Sequence, residues 1–468
     1  MLSISLNELL KVTGGKLWND VKGNQNMARG VSIDSRTIKR GNLFVAIPGE
    51  RFDGHQFVSE ATNKGASLVI ISKEKMNQVK KKEVGEISVV LVEDTKKALG
   101  EIAFWHRNKF EVPTVAVTGT NGKTTTKDMI AEVLSSEFKV LKSIKSYNNL
   151  IGVPLTLFEL NSDTQVLVLE LGMSNPKEIG ILTKTAKPNL GVITNIGPAH
   201  LESMQSLEKI AQAKFELLDN MPLPHTSVLN ADDEFLAKRI KDEKEKCVSF
   251  AIKNDADFKA DELTISDEGY VGFKVNDKLN INLKLLGEHN VYNALAAFAV
   301  GSLLGVDELK IKESLEKYTP SELRMESNQV GNIKIINDSY NANPVSMANA
   351  LVTLKQMKSE GRKIAVLGDM LELGKKTLDY HLELGKLVAE SEIDLLLTVG
   401  KFSCAIGQGA KYSGMSIKKI FAFDNNEKAS AYLLENLKAG DLVLIKGSRK
   451  MKLEEVVLSL KSLYDRQN

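Results

Sequence analysis

The last third of the chain alternates short apolar runs with longer amphipathic ones, and few folds accommodate that rhythm. "NIKIIND", "KIAVLGD", "IDLLLTVG", "KIFAFD" and "DLVLIKGS" are five strand-like runs rich in Ile, Val and Leu. Interleaved with them, "SMANALVTLKQM", "YHLELGKLVAES", "KASAYLLENLK" and "LEEVVLSLKSLY" carry apolar residues at helical spacing. Strands joined through helices run parallel, so the pattern predicts a doubly wound α/β sheet over residues 321–468.

Upstream the rhythm is looser but of the same kind. "TVAVTG" reads as a buried strand running into the helix "TTTKDMIAEVLSSEF", and "QVLVLELG" and "LGVITNIG" are two more apolar strands with polar ends. That is the layout of a parallel sheet whose carboxyl edge carries a site. "KLNINLKLLGEHNVYNALAAFAVGSLLGV" then passes from strand into a long helix. Residues 1–110 mix short strands and helices, with "VSIDSRTIKRGNLFVAIPG" reading as two strands around a turn at residues 39–41. At 468 residues the chain has room for two to four domains, and three are expected: 1–110, 111–320 and 321–468.

The stretch "TVAVTGTNGKTTTKDM", residues 114–129, has the look of a phosphate-binding loop in a shortened form. The longer G-x-x-x-x-G-K-[ST] pattern would need glycine where Val117 stands; here the glycines are Gly119 and Gly122, followed by Lys123 and Thr124. A glycine turn between a strand and a helix aims backbone N–H groups at one spot, and the helix dipole adds positive potential there. Lys123 would neutralise terminal phosphates and the Thr124 hydroxyl would hold Mg²⁺. The plainer reading is a turn that simply caps a helix.

Three further residues fall on the same edge. Glu170 ends the strand "QVLVLEL", where a carboxylate is costly unless it meets water or a cation. His200 follows "LGVITNIG" and a Gly-Pro turn, a position for a metal or phosphate contact or for an ordinary loop histidine. Lys214 interrupts the stripe Leu207, Ile210, Ala211, Leu217, Leu218 of "SLEKIAQAKFELLDNM". Its stem either snorkels to the rim, or its amine is desolvated and so reactive toward CO₂, giving a carbamate able to bind a metal beside His200.

Taken together, "TGTNGKTTTK", "ELGMSNPKEIG", "TNIGPAHLE", "AQAKFE" and "GEHNVYNALAA" resemble the Mur ligase family, ATP-dependent amide ligases that build the peptide stem of bacterial cell-wall precursors. The resemblance runs over the whole chain. It implies a small amino-terminal domain for a UDP-linked substrate, a central P-loop-type ATPase domain and a Rossmann-like carboxyl-terminal domain. "DSRTIKRGNLFVAIPGERFDGHQF" is similar to members that add the third residue or the final dipeptide, and "NDSYNANPVSM" with "LGDMLELG" to those that add D-alanyl-D-alanine to a UDP-N-acetylmuramoyl-tripeptide. The Tyr-Ala-His-Thr-Pro stretch of the third-residue ligases is not found. Those ligases, and a relative that adds glutamate to a folate, are the rival readings within the same chemistry; a nucleotide-dependent switch is the rival outside it.

Carried over position by position, the resemblance implies that Gly119, Thr120, Asn121, Gly122, Lys123, Thr124 and Thr125 cradle the phosphates of ATP. Thr124 and Glu170 would hold one Mg²⁺ ion, and His200 with N-carboxylated Lys214 a second. Lys123, His200 and Lys214 would be the catalytic set. Asn290 and Asn293 resemble the pair around the adenine, and Arg324 and Asp338 match positions that reach ATP. Tyr340, Asn341 and Asn343 are expected at the dipeptide or nucleotide. Asp34, Ser35 and Arg36, with Arg51, Phe52, Asp53, Gly54 and His55, would line the uridine-nucleotide site, and Asn148 and Asn149 the muramoyl part.

Charge and cysteines narrow the remaining classes. With 62 basic and 60 acidic residues the net charge is +2, which gives no electrostatic reason to expect nucleic acid or an anionic membrane as partner. The two cysteines, Cys247 and Cys404, lack metal-ligand spacing and suit a reducing compartment. "MLSISLNELLKVTGG" lacks the apolar core of a signal peptide, and no run approaches the roughly 18 apolar residues that span a bilayer. A cytoplasmic monomer, without membrane insertion, is expected.

Overall fold

The computed structural model describes residues 2–19, 27–49, 52–243 and 246–467. The chain is α/β throughout and divides into two compact units. One comprises residues 1–118, 137–191 and 215–225, the other residues 119–136, 192–214 and 226–468.

In the first unit a five-stranded sheet has the order Lys16–Asn19, Ser88–Val92, Leu68–Ser72, Leu43–Val45, Val31–Ser32. Only the Lys16–Asn19 edge is antiparallel. The two strands read around a turn at residues 39–41 therefore pair in parallel, through a crossover instead of a hairpin. Phe44, Val69, Ile71 and Val89 pack with Val58 and Ala61 of a short helix to form this sheet's core. In the same unit Val166–Glu170 lies between Thr114–Thr118 and Val140–Lys142, parallel to both. Every residue of Thr114–Thr118 and Val166–Glu170 is buried, which is why both read as unbroken apolar runs.

In the second unit Thr226–Asn230, Lys246–Ala251 and Phe258–Ile265 pair in parallel. An antiparallel meander through Tyr270–Val275 and Leu279–Leu286 follows, a feature the sequence reading does not contain. The helix His289–Leu303 is buried almost all round, as its Ala- and Val-rich composition requires.

The carboxyl-terminal sheet of this unit has six strands where the sequence suggests five. Its order is Glu326–Val330, Ile333–Asp338, Leu442–Lys446, Lys363–Gly368, Leu395–Val399, Ile420–Phe423, all parallel save the first pair. Alternate residues of each strand enter two different cores. Ile336, Ala365, Leu367, Leu396 and Leu444 pack with helix residues Leu351, Leu384 and Ile406. Ile335, Ile364, Val366, Leu397 and Val443 pack with Leu433, Val456 and Leu460. Two cores separated by one sheet make it doubly wound.

Candidate active site

The turn after Thr114–Thr118 can be built only with glycine. Gly119 has φ of 147° and Gly122 of 80°, and a Cβ would run into the Thr194 side chain at the first and into Asn293 at the second. The turn is then sewn to the segment after Leu190–Ile193. Thr120 N–H donates to Asn195 O at 2.9 Å, Asn121 N–H to Asn195 Oδ1 at 2.9 Å, and Thr194 Oγ1 to Asn121 O at 2.6 Å. Gly197 N–H donates to Thr120 Oγ1 at 2.9 Å. The helix Lys123–Leu134 starts at Gly122 with no side-chain cap, which suits a site meant for an anion.

Two lysines converge on one carbonyl. Lys123 Nζ donates to Gly119 O at 2.8 Å and to Thr120 O at 3.0 Å, while Lys214 Nζ donates to Gly119 O at 2.8 Å. Lys214 is only 4% exposed, so its amine does not snorkel to the rim. Burial, and secondarily the Lys123 charge, push its pKa well below the usual lysine range. Ile210, Ala211, Leu217 and Leu218 of its helix are buried as the stripe predicts, while Leu207 is half-buried.

Residues far downstream reach the same loop. Arg324 Nη2 donates to Thr124 Oγ1 at 3.0 Å, and its guanidinium lies 3.9 Å over the Tyr340 ring. Asn343 Nδ2 donates to Asn121 Oδ1 at 2.7 Å, while its own Oδ1 caps the helix Pro344–Gln356 by accepting from Ser346 N–H. Thr126 Oγ1 donates to Asn293 Oδ1 at 3.0 Å, and Asn293 Nδ2 to Asn290 Oδ1 at 2.9 Å, so the two asparagines form one buried amide pair. Asp338 accepts from Met325 N–H and pairs at 2.6 Å with Lys446, which is 2% exposed and also donates to Asn341 O. His200, with φ of 55°, meets Glu372 at 2.6 Å through Nδ1.

In the first unit Glu170 is 1% exposed at the end of its strand and pairs in register with Val117, two residues before Gly119. Its Oε1 accepts from Asn148 Nδ2 at 2.7 Å. Asn149 is engaged locally, its Oδ1 accepting from the Ile151 and Gly152 N–H groups. Asp34 and Arg36 form an exposed ion pair that holds Asp34 below the usual carboxylate range, and buried Ser35 donates to Glu60. His55 is buried with both ring nitrogens used: Nδ1 toward Asp53 at 2.6 Å, Nε2 accepting from Ser72 N–H at 2.9 Å. Burial would raise the Asp53 pKa, yet hydrogen bonds from Lys75 and His55 bring it down to about 2. A Cβ at Gly54 would press on the backbone of Ile47, and Phe52 is exposed. Arg51 lies outside the described residues.

Three family profiles tile the chain: "Mur ligase family, catalytic domain" over residues 28–106, "Mur ligase middle domain" over 117–301, and "Mur ligase, glutamate ligase domain" over 323–449. A Bacillus subtilis (strain 168) protein named UDP-N-acetylmuramoyl-tripeptide--D-alanyl-D-alanine ligase is 33% identical over 462 residues, 98% of this chain and 99% of its own. The chain belongs to the Mur ligase family. An Escherichia coli K12 protein of the same name is 32% identical over 98% of this chain and 99% of its own. Among solved structures, MurF from Acinetobacter baumannii superposes with a TM-score of 0.89 at 30% identity, covering 99% of both chains. MurF from Thermotoga maritima, solved in complex with ADP, has a TM-score of 0.82 at 28% identity over 94% of this chain and 99% of its own.

Several contacts of this Mur ligase lie outside the residues that sequence reasoning selects. Thr194 and Asn195 directly follow the strand Leu190–Ile193, Lys446 ends the strand Leu442–Lys446 and Glu372 lies in the loop after Lys363–Gly368, but nothing in spacing reveals which partner each finds. Among the described residues no three His, Cys, Asp or Glu side chains cluster as a metal centre. The donor set expected for magnesium is of another kind: a threonine hydroxyl, a buried carboxylate and a carbamate are hard oxygen donors that suit Mg²⁺, and the imidazole is the one nitrogen donor beside them. A buried lysine with a depressed pKa is likewise what N-carboxylation needs, because only the neutral amine attacks CO₂.

Proposed function

We propose that this Mur ligase joins the amine of D-alanyl-D-alanine to the terminal carboxylate of UDP-N-acetylmuramoyl-tripeptide, with ATP cleaved to ADP and phosphate. A carboxylate is a poor electrophile in water, so ATP first phosphorylates it. The dipeptide amine then attacks the acyl phosphate through a tetrahedral intermediate that expels phosphate. Positioning and charge neutralisation carry most of such a transfer. What supports the chemistry is the convergence of Lys123 and Lys214 on Gly119 O beside an uncapped helix start; what supports the substrates is likeness over the whole chain to ligases of that name.

In this reading the loop from Gly119 to Thr125 binds the phosphates and Lys123 counters the charge that builds on the transferred group. Thr124 and Glu170 hold one Mg²⁺, and His200 with N-carboxylated Lys214 a second. The ions supply neutralisation of two anions that otherwise repel, the γ-phosphate and the substrate carboxylate. Arg324 and Asp338 orient ATP, the Asn290–Asn293 pair borders the adenine, and Tyr340, Asn341 and Asn343 border the dipeptide. The segments 34–36 and 51–55 with Asn148 and Asn149 serve the UDP-muramoyl end. The functional division remains 1–110 for the UDP substrate, 111–320 for ATP and 321–468 for closing the reaction. The enzyme works as a monomer in the cytoplasm, where its nucleotide-linked substrate is made. No helix among the described residues is long and apolar enough to cross a membrane.

Phosphate release from ATP, measured with the UDP-tripeptide and with or without D-alanyl-D-alanine, tests the reading. The dipeptide should be required for turnover, and a product larger by one dipeptide should appear by mass spectrometry. Turnover indifferent to the dipeptide, or supported by lysine or diaminopimelate on the UDP-dipeptide instead, removes it.

A further inference from the structure

Glu372 stands in a loop whose preceding residues are each fixed. The Asp369 carboxylate accepts from the N–H groups of Lys401, Phe402 and Ser403 at 3.1, 2.9 and 2.6 Å. Met370 N–H donates to His381 Nε2 at 3.0 Å, and Leu371 N–H to Ser448 Oγ at 2.9 Å. Glu372 itself has φ of 65°, and its carbonyl accepts from Glu202 N–H at 3.1 Å. His200, two residues before Glu202, has φ of 55°. Two non-glycine residues thus hold left-handed backbone while facing each other, a conformation that persists only where surroundings enforce it.

Their side chains meet at 2.6 Å, Glu372 Oε2 to His200 Nδ1. An ionised carboxylate has no proton to give, so Nδ1 must carry the hydrogen and, in the neutral ring, Nε2 is left with the lone pair.

We propose that Glu372 is a positioning residue for His200, fixing the Nδ1–H tautomer and the ring orientation so that Nε2 is the atom offered to the ATP site. This rests on the reading of His200 as a site residue. It follows the general pattern in which a carboxylate behind a histidine sets which nitrogen binds. It also has a consequence for order of events. Glu372 belongs to residues 321–468, so the imidazole is correctly prepared only when that segment sits on residues 197–204.

The test uses the full-length protein labelled with ¹⁵N-histidine, free of substrates and at one fixed pH near 8. Long-range proton–nitrogen NMR reads the tautomer of His200 among the six histidines, with His200→Gln supplying the assignment. Wild type is expected as Nδ1–H, Glu372→Ala should move to predominantly Nε2–H, and Glu372→Gln, whose side-chain oxygen still accepts, should keep Nδ1–H. In the ligation assay Glu372→Ala should lower kcat about 10–100-fold with the KM for D-alanyl-D-alanine changed less than threefold, and Glu372→Gln should recover most of that loss. An unchanged tautomer in Glu372→Ala, or a kcat within twofold of wild type, overturns the proposal. So does a Glu372→Gln variant as impaired as Glu372→Ala with KM rising in step, which would mark a docking contact. Absence of ligation by wild type would strike the proposed function instead and leave the NMR result to decide the tautomer.

Discussion

Arg324 Nη2 donates to the Thr124 hydroxyl at 3.0 Å while the same guanidinium lies over Tyr340 at 3.9 Å. One side chain from residue 324 therefore joins the phosphate loop to the start of "YNANP". A hydroxyl has two lone pairs, so the Thr124 oxygen can accept from arginine and still bind a cation. Lysine keeps the charge but has neither the planar stack nor the fork. Arg324→Lys should lose about 2 kcal/mol of transition-state binding, roughly thirtyfold in kcat/KM for ATP. Steady-state kinetics check this, and a variant within threefold of wild type would show the contact to be incidental.

Lys214 offers a sharper test because its two roles separate chemically. Lys214→Ala should lose nearly all ligase activity, and added short carboxylic acids should restore part of it by replacing the missing carbamate. Lys214→Met should be equally inactive yet no less stable to heat, since it removes a buried amine without opening a large cavity. Full activity in either variant would reduce the lysine to a loop support through Gly119 O.

Asn343 does two things at once: it caps the helix Pro344–Gln356 and donates to Asn121. Serine can cap but is too short to reach the loop. Asn343→Ala should therefore cost about 1 kcal/mol of stability together with activity, whereas Asn343→Ser should regain the stability and not the activity. Thermal melting and ATP-dependent turnover on the same two variants check the split. A serine variant that recovers turnover would remove the Asn121 contact from the mechanism.

How much of this was open to sequence reasoning depended on whether a signal was local. The strands Lys363–Gly368, Leu395–Val399 and Leu442–Lys446 are buried throughout, and an apolar run announces that directly. Glu326–Val330 was missed because "ESNQV" is polar and lies at the sheet edge, where a partner on one side suffices. The helix Cys404–Tyr412 is not legible either, its "CAIGQGAKY" carrying two glycines that weaken helical propensity, of which Gly409 lets the helix approach the backbone at Leu382 closely. In the site, the glycine turn and the intrusive Lys214 were legible because each breaks a local rule. The pairings Asn121–Asn343, Thr124–Arg324 and His200–Glu372 join residues between 172 and 222 positions apart, and composition or periodicity contains no trace of them.

His106 gives a prediction away from the site, on acid sensitivity. It is 2% exposed in the helix Thr95–Arg107, its Nε2 3.2 Å from Leu160 O, with no hydrogen-bond partner for Nδ1 among the described residues and Phe110 at 5.1 Å between ring centroids. Burial pushes its pKa down to about 4, against the hydrogen bond to Leu160 that works the other way. In the unfolded chain the ring titrates near 6.5. Between pH 6.5 and 4 the unfolded state thus binds up to one more proton than the native state, so stability falls as the pH is lowered through that window. Below about pH 4 both states are protonated and this contribution stops changing. His106→Gln keeps a donor for Leu160 but cannot titrate. Its unfolding free energy should fall less steeply over the window, by up to about 1.4 kcal/mol per pH unit relative to wild type. His289 and His381, also lowered, act equally in both proteins and cancel from the difference. Urea unfolding at a series of pH values reads the two slopes, and parallel curves would mean that His106 is protonated in the native protein at no cost.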